Sequence, residues 1–95
     1  MNVVYAKGFF NRLVGLAFKK NIDYVLALEN CNSIHTFFMK ENINVVMTDK
    51  DKKIVFVKKN MKKNKIIAPK KGVYYTFEFP TNFSFDYKVG DYINF

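Results

Sequence analysis

Cysteine, histidine and arginine each occur once in this chain, tryptophan is absent, and there are two prolines and four glycines. A lone cysteine excludes an internal disulfide and any Cys-rich zinc site. So little Pro and Gly, in a chain that is 49% hydrophobic, excludes a collagen-like repeat, a low-complexity linker and a disordered tail. Long apolar runs are missing too. The cleanest, Tyr24 to Leu28, falls far short of the roughly 18 to 20 residues that cross a bilayer. Met1 to Lys7 carries no basic leader ahead of a long apolar core, so it does not read as a signal peptide. As it stands, the chain is expected to be soluble and cytoplasmic. Gly8, Gly15, Gly72 and Gly90 are isolated from one another, which leaves no glycine-rich loop to cradle a phosphate.

What is present is aromatic and basic. Eleven Phe and six Tyr supply large core side chains, and 95 residues allow one domain, 1–95, expected to be monomeric. The net charge is +8, and it is concentrated: ten of the fifteen lysines fall between Lys50 and Lys71, with Asp51 the one acid there. A basic stripe is the first mark of a polyanion or acidic-membrane binder, and Lys58, Lys59, Lys62, Lys63 and Lys65 are its candidate contacts. Arg12 is the only arginine, whereas bidentate recognition of phosphate and guanine favours Arg. Fifteen Lys beside eleven Asn also fit the codon usage of an A+T-rich genome. A nucleic acid or membrane partner is therefore the second choice.

Along the chain, Val3 to Tyr5 reads as a short strand. Phe9, Phe10, Leu13, Val14, Leu16 and Ala17 recur at spacings of three and four, which predicts one short N-terminal helix. From Tyr24 the pattern is β. Strands are expected at Tyr24 to Leu28, Ile34 to Met39, Ile43 to Met47, Ile54 to Val57, Val73 to Phe79 and Tyr92 to Phe95, with an Asp/Lys hairpin turn over Thr48 to Lys53. Phe83 to Tyr87 alternates, so its aromatics face inward while Ser84 and Asp86 face out. Asn60 to Lys71 is expected to be a surface excursion pinned by Ile66, Ile67 and Ala68. Together these elements predict a mainly β, single compact antiparallel β-barrel-like domain.

Ordered along the chain, Gly15 to Lys20, Cys31 to Lys40, Ile43 to Asp49, Thr76 to Pro80 and Val89 to Asp91 resemble a bacterial and archaeal family of small proteins. The family is domain-of-unknown-function family 192, and the string Ser33-Ile34-His35-Thr36-Phe37-Phe38-Met39-Lys40 is the specific part. The resemblance implies a compact, barrel-like β domain, found with a leader peptide in some members and without one in others, and with no established activity. Three departures stand out: Ala17 where Met is frequent, Asn44 where an Asp is usual, and Thr81-Asn82 in the turn after Pro80. Asn82 tolerates a left-handed backbone. Asn44 removes a candidate acid from the neighbourhood of His35.

The lone histidine sits inside the specific string. Its functional role would be to line a small pocket with Ser33, Thr36, Phe38 and Lys40, His35 giving a directional hydrogen bond and Lys40 pairing an anionic group. Its structural role would be that of a histidine tied to a local backbone partner. A Cys31–His35 nucleophilic pair would make a hydrolase or transferase. However, four residues of strand separate the two by about 13 Å, and no orienting acid is evident. Cys31, His35, Met39 and Met47 offer soft ligands for a Cu(I)-type ion, again spaced too widely in a strand. Asp49 to Lys52 opens like a calcium loop, but Ile54 and Asn60 stand where Gly and Glu are required. The expected function is therefore a non-enzymatic binding or interaction module without a cofactor or metal, taking a small anionic ligand or a protein partner.

Overall fold

A computed structural model describes residues 2–6, 22–37 and 39–95. Among these, seven strands form and no helix: β1 (Asn2–Ala6), β2 (Tyr24–Glu29), β3 (Ile34–His35), β4 (Ile43–Thr48), β5 (Ile54–Met61), β6 (Ile66–Ile67) and β7 (Tyr75–Pro80). The expected helix lies outside the described residues. No helix among the described residues is long and apolar enough to cross a membrane.

Five strands make one sheet in the order β1-β2-β7-β4-β5, and β3 pairs with β6 in a second, two-stranded sheet. The large sheet is open, with β1 and β5 at its edges, so the barrel-like closure expected from the sequence is not what these strands form. Nor is pairing antiparallel throughout. β1 runs parallel to β2, with Asn2 opposite Tyr24 and Ala6 opposite Leu28. Residues 7–23 between them are long enough for the crossover that a parallel pair needs.

Alternation along the central strands divides the core between the two faces of the sheet. Leu26, Leu28, Val45 and Met47 point to one face, where they meet Ile34, Met39, Met61 and Ile67. Val25, Ala27, Val46, Phe77 and Phe79 point to the other and meet Ile54 and Ile93. The second face is roofed by the chain after β7. Phe83, Phe85 and Tyr87 pack inward there while Ser84 and Asp86 stay exposed, as the alternation predicts, although the segment forms no strand. Phe79 stacks edge-on to Phe85 with ring centroids 5.1 Å apart. Both layers exist because every residue of β4, and all but one of β7, is buried, which requires cover on each side.

The hairpin turn forms where the Asp/Lys stretch places it. Asp49 Oδ1 accepts the backbone N–H groups of Asp51 at 2.9 Å and Lys53 at 3.0 Å, and Lys52 takes a left-handed φ of 66°. This is an Asx-type turn, the usual employment of Asp at such a position. Two expected strands are corrected. Ile34 to Met39 shortens to Ile34–His35, because the Thr36 carbonyl turns back to accept Met39 N–H at 3.3 Å. Tyr92 to Phe95 contributes one bridge, Lys53 to Tyr92, and no strand. β5, in contrast, runs on to Met61, past the expected end at Val57.

Candidate functional site

The lysine-rich segment is more ordered than its sequence suggests. β6 pairs with β3, Ile34 opposite Ile67 and His35 opposite Ile66. Ile67 is buried and Ile66 is 66% exposed. Thr36, 1% exposed, clamps the turn that precedes β6. Its hydroxyl donates to the Lys62 carbonyl at 2.6 Å and accepts Lys65 N–H at 2.8 Å. Its backbone N–H donates to the Lys65 carbonyl at 2.8 Å, and its carbonyl accepts Asn64 N–H at 3.2 Å. Lys70 N–H donates to the Asn32 carbonyl at 3.0 Å. The 62–65 turn is thus held by the residue before it in space, and the apolar island supplies one anchor, Ile67, where three were expected.

Bringing β6 beside β5 opens a groove of about 650 Å³. Its apolar lining is Phe56, Val57, Met61, Ile66, Ile67 and Ala68; its charged lining is Lys58, Lys62, Lys65 and Lys70, with Asn60 beside them and no carboxylate. Lys70 Nζ sits 4.4 Å from the centroid of the Phe56 ring, a cation–π contact that holds one charge over the apolar floor. Asn60, with φ of 51°, bends the end of β5, and its N–H donates to the buried Asn44 Oδ1 at 2.7 Å. Asn44 therefore fastens the irregular end of the groove strand. Of the expected polyanion contacts, Lys58, Lys62 and Lys65 line the groove, while Lys59 and Lys63 are exposed outside its lining.

The residues expected around His35 differ in burial. Thr36 is buried in the clamp just described, Lys40 is exposed, Ser33 is half-buried, and Phe38 lies outside the described residues. His35 Nδ1 accepts Phe37 N–H at 3.3 Å, and its ring stacks on Phe37 with centroids 5.0 Å apart. With Nδ1 accepting, the proton of the neutral ring belongs on Nε2. Directly opposed residues in an antiparallel pair share a face, so His35 stands beside the exposed Ile66 at the margin of the groove. The Cys31 thiol donates to the Ser33 carbonyl at 3.2 Å, and Cys31 packs against the first-face core. Met39 and Met47 are buried core residues, and no group of three or more His, Cys, Asp or Glu residues among the described residues could hold a metal ion.

One group escaped the sequence reasoning. Glu78 is 3% exposed in the middle of the large sheet, opposite Leu26 on one side and Val45 on the other. The signal was legible: in Thr76-Phe77-Glu78-Phe79, strict alternation on a central strand puts Glu78 on a face that must also be covered. Its charge is felt by Tyr24, whose hydroxyl is pushed above the ordinary value of 10.0 by burial first, then by Asp23 and Glu78. A smaller hollow of about 310 Å³ near Asp23, lined also by Ile22, Glu41, Pro80, Thr81 and Asn82, carries the opposite charge from the groove.

Among the described residues, fold and groove together define a small open-sheet β domain with a basic, apolar-floored cleft. The family model described as "Uncharacterized ACR", domain-of-unknown-function family 192, matches residues 1–95, and the chain belongs to that family. It is 33% identical over 98 residues to a UPF0127 protein of Thermococcus sibiricus, covering 97% of this chain and 59% of the relative. It is also 33% identical over 100 residues to a UPF0127 protein of Thermococcus kodakarensis, covering 97% of this chain and 63% of the relative. The chain thus spans about three-fifths of the length of these curated relatives. No solved structure matches it.

Proposed function

We propose that this chain is a non-enzymatic binding module whose anionic ligand is held in the groove between β5 and β6. One observation carries this: four lysines and no carboxylate surround an apolar floor in the larger of the two hollows described. Lysines around a low-dielectric wall concentrate anions more strongly than the same lysines on an open surface. His35, beside Ile66, adds an Nε2–H donor at the margin, so the histidine and the basic segment serve one locality. Phe37, 36% exposed and stacked on His35, extends its apolar rim.

Inorganic tripolyphosphate, titrated into the protein by calorimetry at several salt concentrations, tests the proposal. Binding should weaken as salt screens the site and should be lost when Lys58, Lys62, Lys65 and Lys70 are all changed to Glu. Lys88→Glu, outside the groove lining, should leave it nearly intact. Equal binding by the fourfold variant and the native chain would remove the groove from consideration.

A further inference from the structure

The shape of the groove says more than its charge. Consecutive residues of a strand send their side chains to opposite faces, and here Phe56 packs with the first-face core while Val57 packs with the second. Both nevertheless line the groove, together with Lys58. A cleft that touches both faces of one strand runs along that strand's edge. The same holds for β6, where the exposed Ile66 and the buried Ile67 both line it.

The outer edge of β5 already accepts backbone pairing at its start. Ile54 N–H donates to the Asp91 carbonyl at 2.7 Å, and the Ile54 carbonyl accepts Gly90 N–H at 2.9 Å. Farther on, from Phe56 to Asn60, β4 lies on one side and no strand lies on the other among the described residues. That stretch offers about 16 Å of backbone at roughly 3.3 Å per residue.

Resting on the groove being the binding site, we propose that its occupant is an extended acidic peptide segment, added as a strand along the outer edge of β5. Strand addition takes affinity from main-chain hydrogen bonds and specificity from alternate side chains. One set of alternate peptide side chains meets the apolar floor of Phe56, Met61 and Ile67; acidic residues meet Lys58, Lys62, Lys65 and Lys70. Charge selects the occupant. A second copy of this +8 chain would bring like charges together along the edge, and lysine on an edge strand is a common guard against self-pairing. An oligonucleotide has the charge but no N–H and C=O ladder to match the edge.

The test uses a labelled peptide of alternating Glu and Val, seven residues long, and two analogues of it. Each analogue is N-methylated at one alternate set of residues, which keeps charge and side chains but removes backbone donors. The parent should bind the native chain, perturb the amide resonances of Phe56 to Asn60, and fail to bind the fourfold Lys→Glu variant. At least one analogue should bind about tenfold more weakly. Equal binding by both analogues would overturn strand addition while leaving the anion groove standing, as would tripolyphosphate binding without peptide binding. Displacement of tripolyphosphate by an oligothymidylate but not by the peptide would overturn the peptide in favour of nucleic acid. A concentration-dependent dimer that excludes the peptide would overturn it in favour of a second copy. If neither the peptide nor tripolyphosphate binds, both proposals fall.

Discussion

Lys52 and Lys62 lie in the same basic run, yet the fold holds the two ends of that run in opposite ways. At the hairpin end, Lys52 is half-buried and its ammonium is spent: it donates to Tyr5 Oη at 2.9 Å and to the Phe95 carbonyl. It also lies 5.5 Å from the centroids of both Tyr5 and Tyr75. One lysine thus ties β1, the start of β5 and residue 95 together. At the groove end, Lys58, Lys62 and Lys65 are exposed around an apolar cleft, and for Lys62 and Lys65 it is the backbone, bound by Thr36, that the fold uses. The same residue type is a fastening where its ammonium meets fixed acceptors and, on the function proposed above, a ligand contact where the fold holds its backbone and leaves its side chain exposed. Charge density along a sequence does not separate the two; acceptor geometry does.

Replacing Lys52 should break the comparison most visibly. Lys52→Met keeps much of the aliphatic stem and removes two charge-assisted hydrogen bonds and two cation–π contacts, which should cost about 3 kcal/mol. Urea unfolding of the variant should show that loss, while calorimetry should show unchanged tripolyphosphate binding per folded molecule. A variant that loses binding and keeps its stability would mean the hairpin end, rather than the groove, takes the anion.

Thr36→Val comes next. It preserves shape and backbone bonds but leaves the Lys62 carbonyl and Lys65 N–H without the buried hydroxyl they share. About 2 kcal/mol should be lost, and amide exchange should quicken at residues 62–65 before it does elsewhere. Unlike Lys52→Met, it should also weaken anion binding, because it loosens the turn that presents Lys62 and Lys65. Loss of stability with binding untouched would show that the lysines need no fixed turn.

Much of this was legible in the residues. Strand-length apolar runs gave the central strands, because a buried strand needs continuous apolar side chains and β2, β4 and β7 have them. The Asp49 turn and the alternating aromatics of Phe83 to Tyr87 followed from local chemistry. The parallel β1–β2 pair did not, since parallel and antiparallel neighbours use the same side-chain alternation. β6 was missed because two residues carry no period, and its pairing to β3 depends on Thr36, distant in sequence. The groove was half visible: its lysines stood out as a run, but the joining of Ile66 to His35 and Phe56 to Lys70 belongs to tertiary structure. Glu78 was passed over because a single acid in an aromatic strand reads as its solvent face when only one covered face is assumed.

Within the groove, single substitutions should have smaller effects that rank by position. Lys62→Ala and Lys65→Ala should each weaken tripolyphosphate binding by about threefold, the scale of an exposed charge pair. Lys59→Ala and Lys63→Ala, outside the lining, should do less. His35→Ala should resemble Lys62→Ala if its Nε2–H reaches the ligand. Equal effects at all four lysines would replace the groove with a diffuse basic surface.

The smallest effect concerns the sheet interior that carries both ends. In the folded chain, burial and the nearby carboxylates of Asp23 and Glu78 raise Tyr24 above its ordinary value, so its neutral form is favoured by folding. That contribution is intact below about pH 10 and disappears as pH rises through the folded value, because the unfolded tyrosine ionises first and favours unfolding. Tyr87, raised by burial alone, acts in the same direction from the opposite face of the sheet. Urea midpoints measured at about pH 9 and about pH 11 should fall less in Tyr24→Phe than in the native chain, and less again when Tyr87→Phe is added. If Tyr24→Phe loses as much stability over that interval as the native chain, burial and the carboxylates of Asp23 and Glu78 do not raise the Tyr24 hydroxyl in the folded chain.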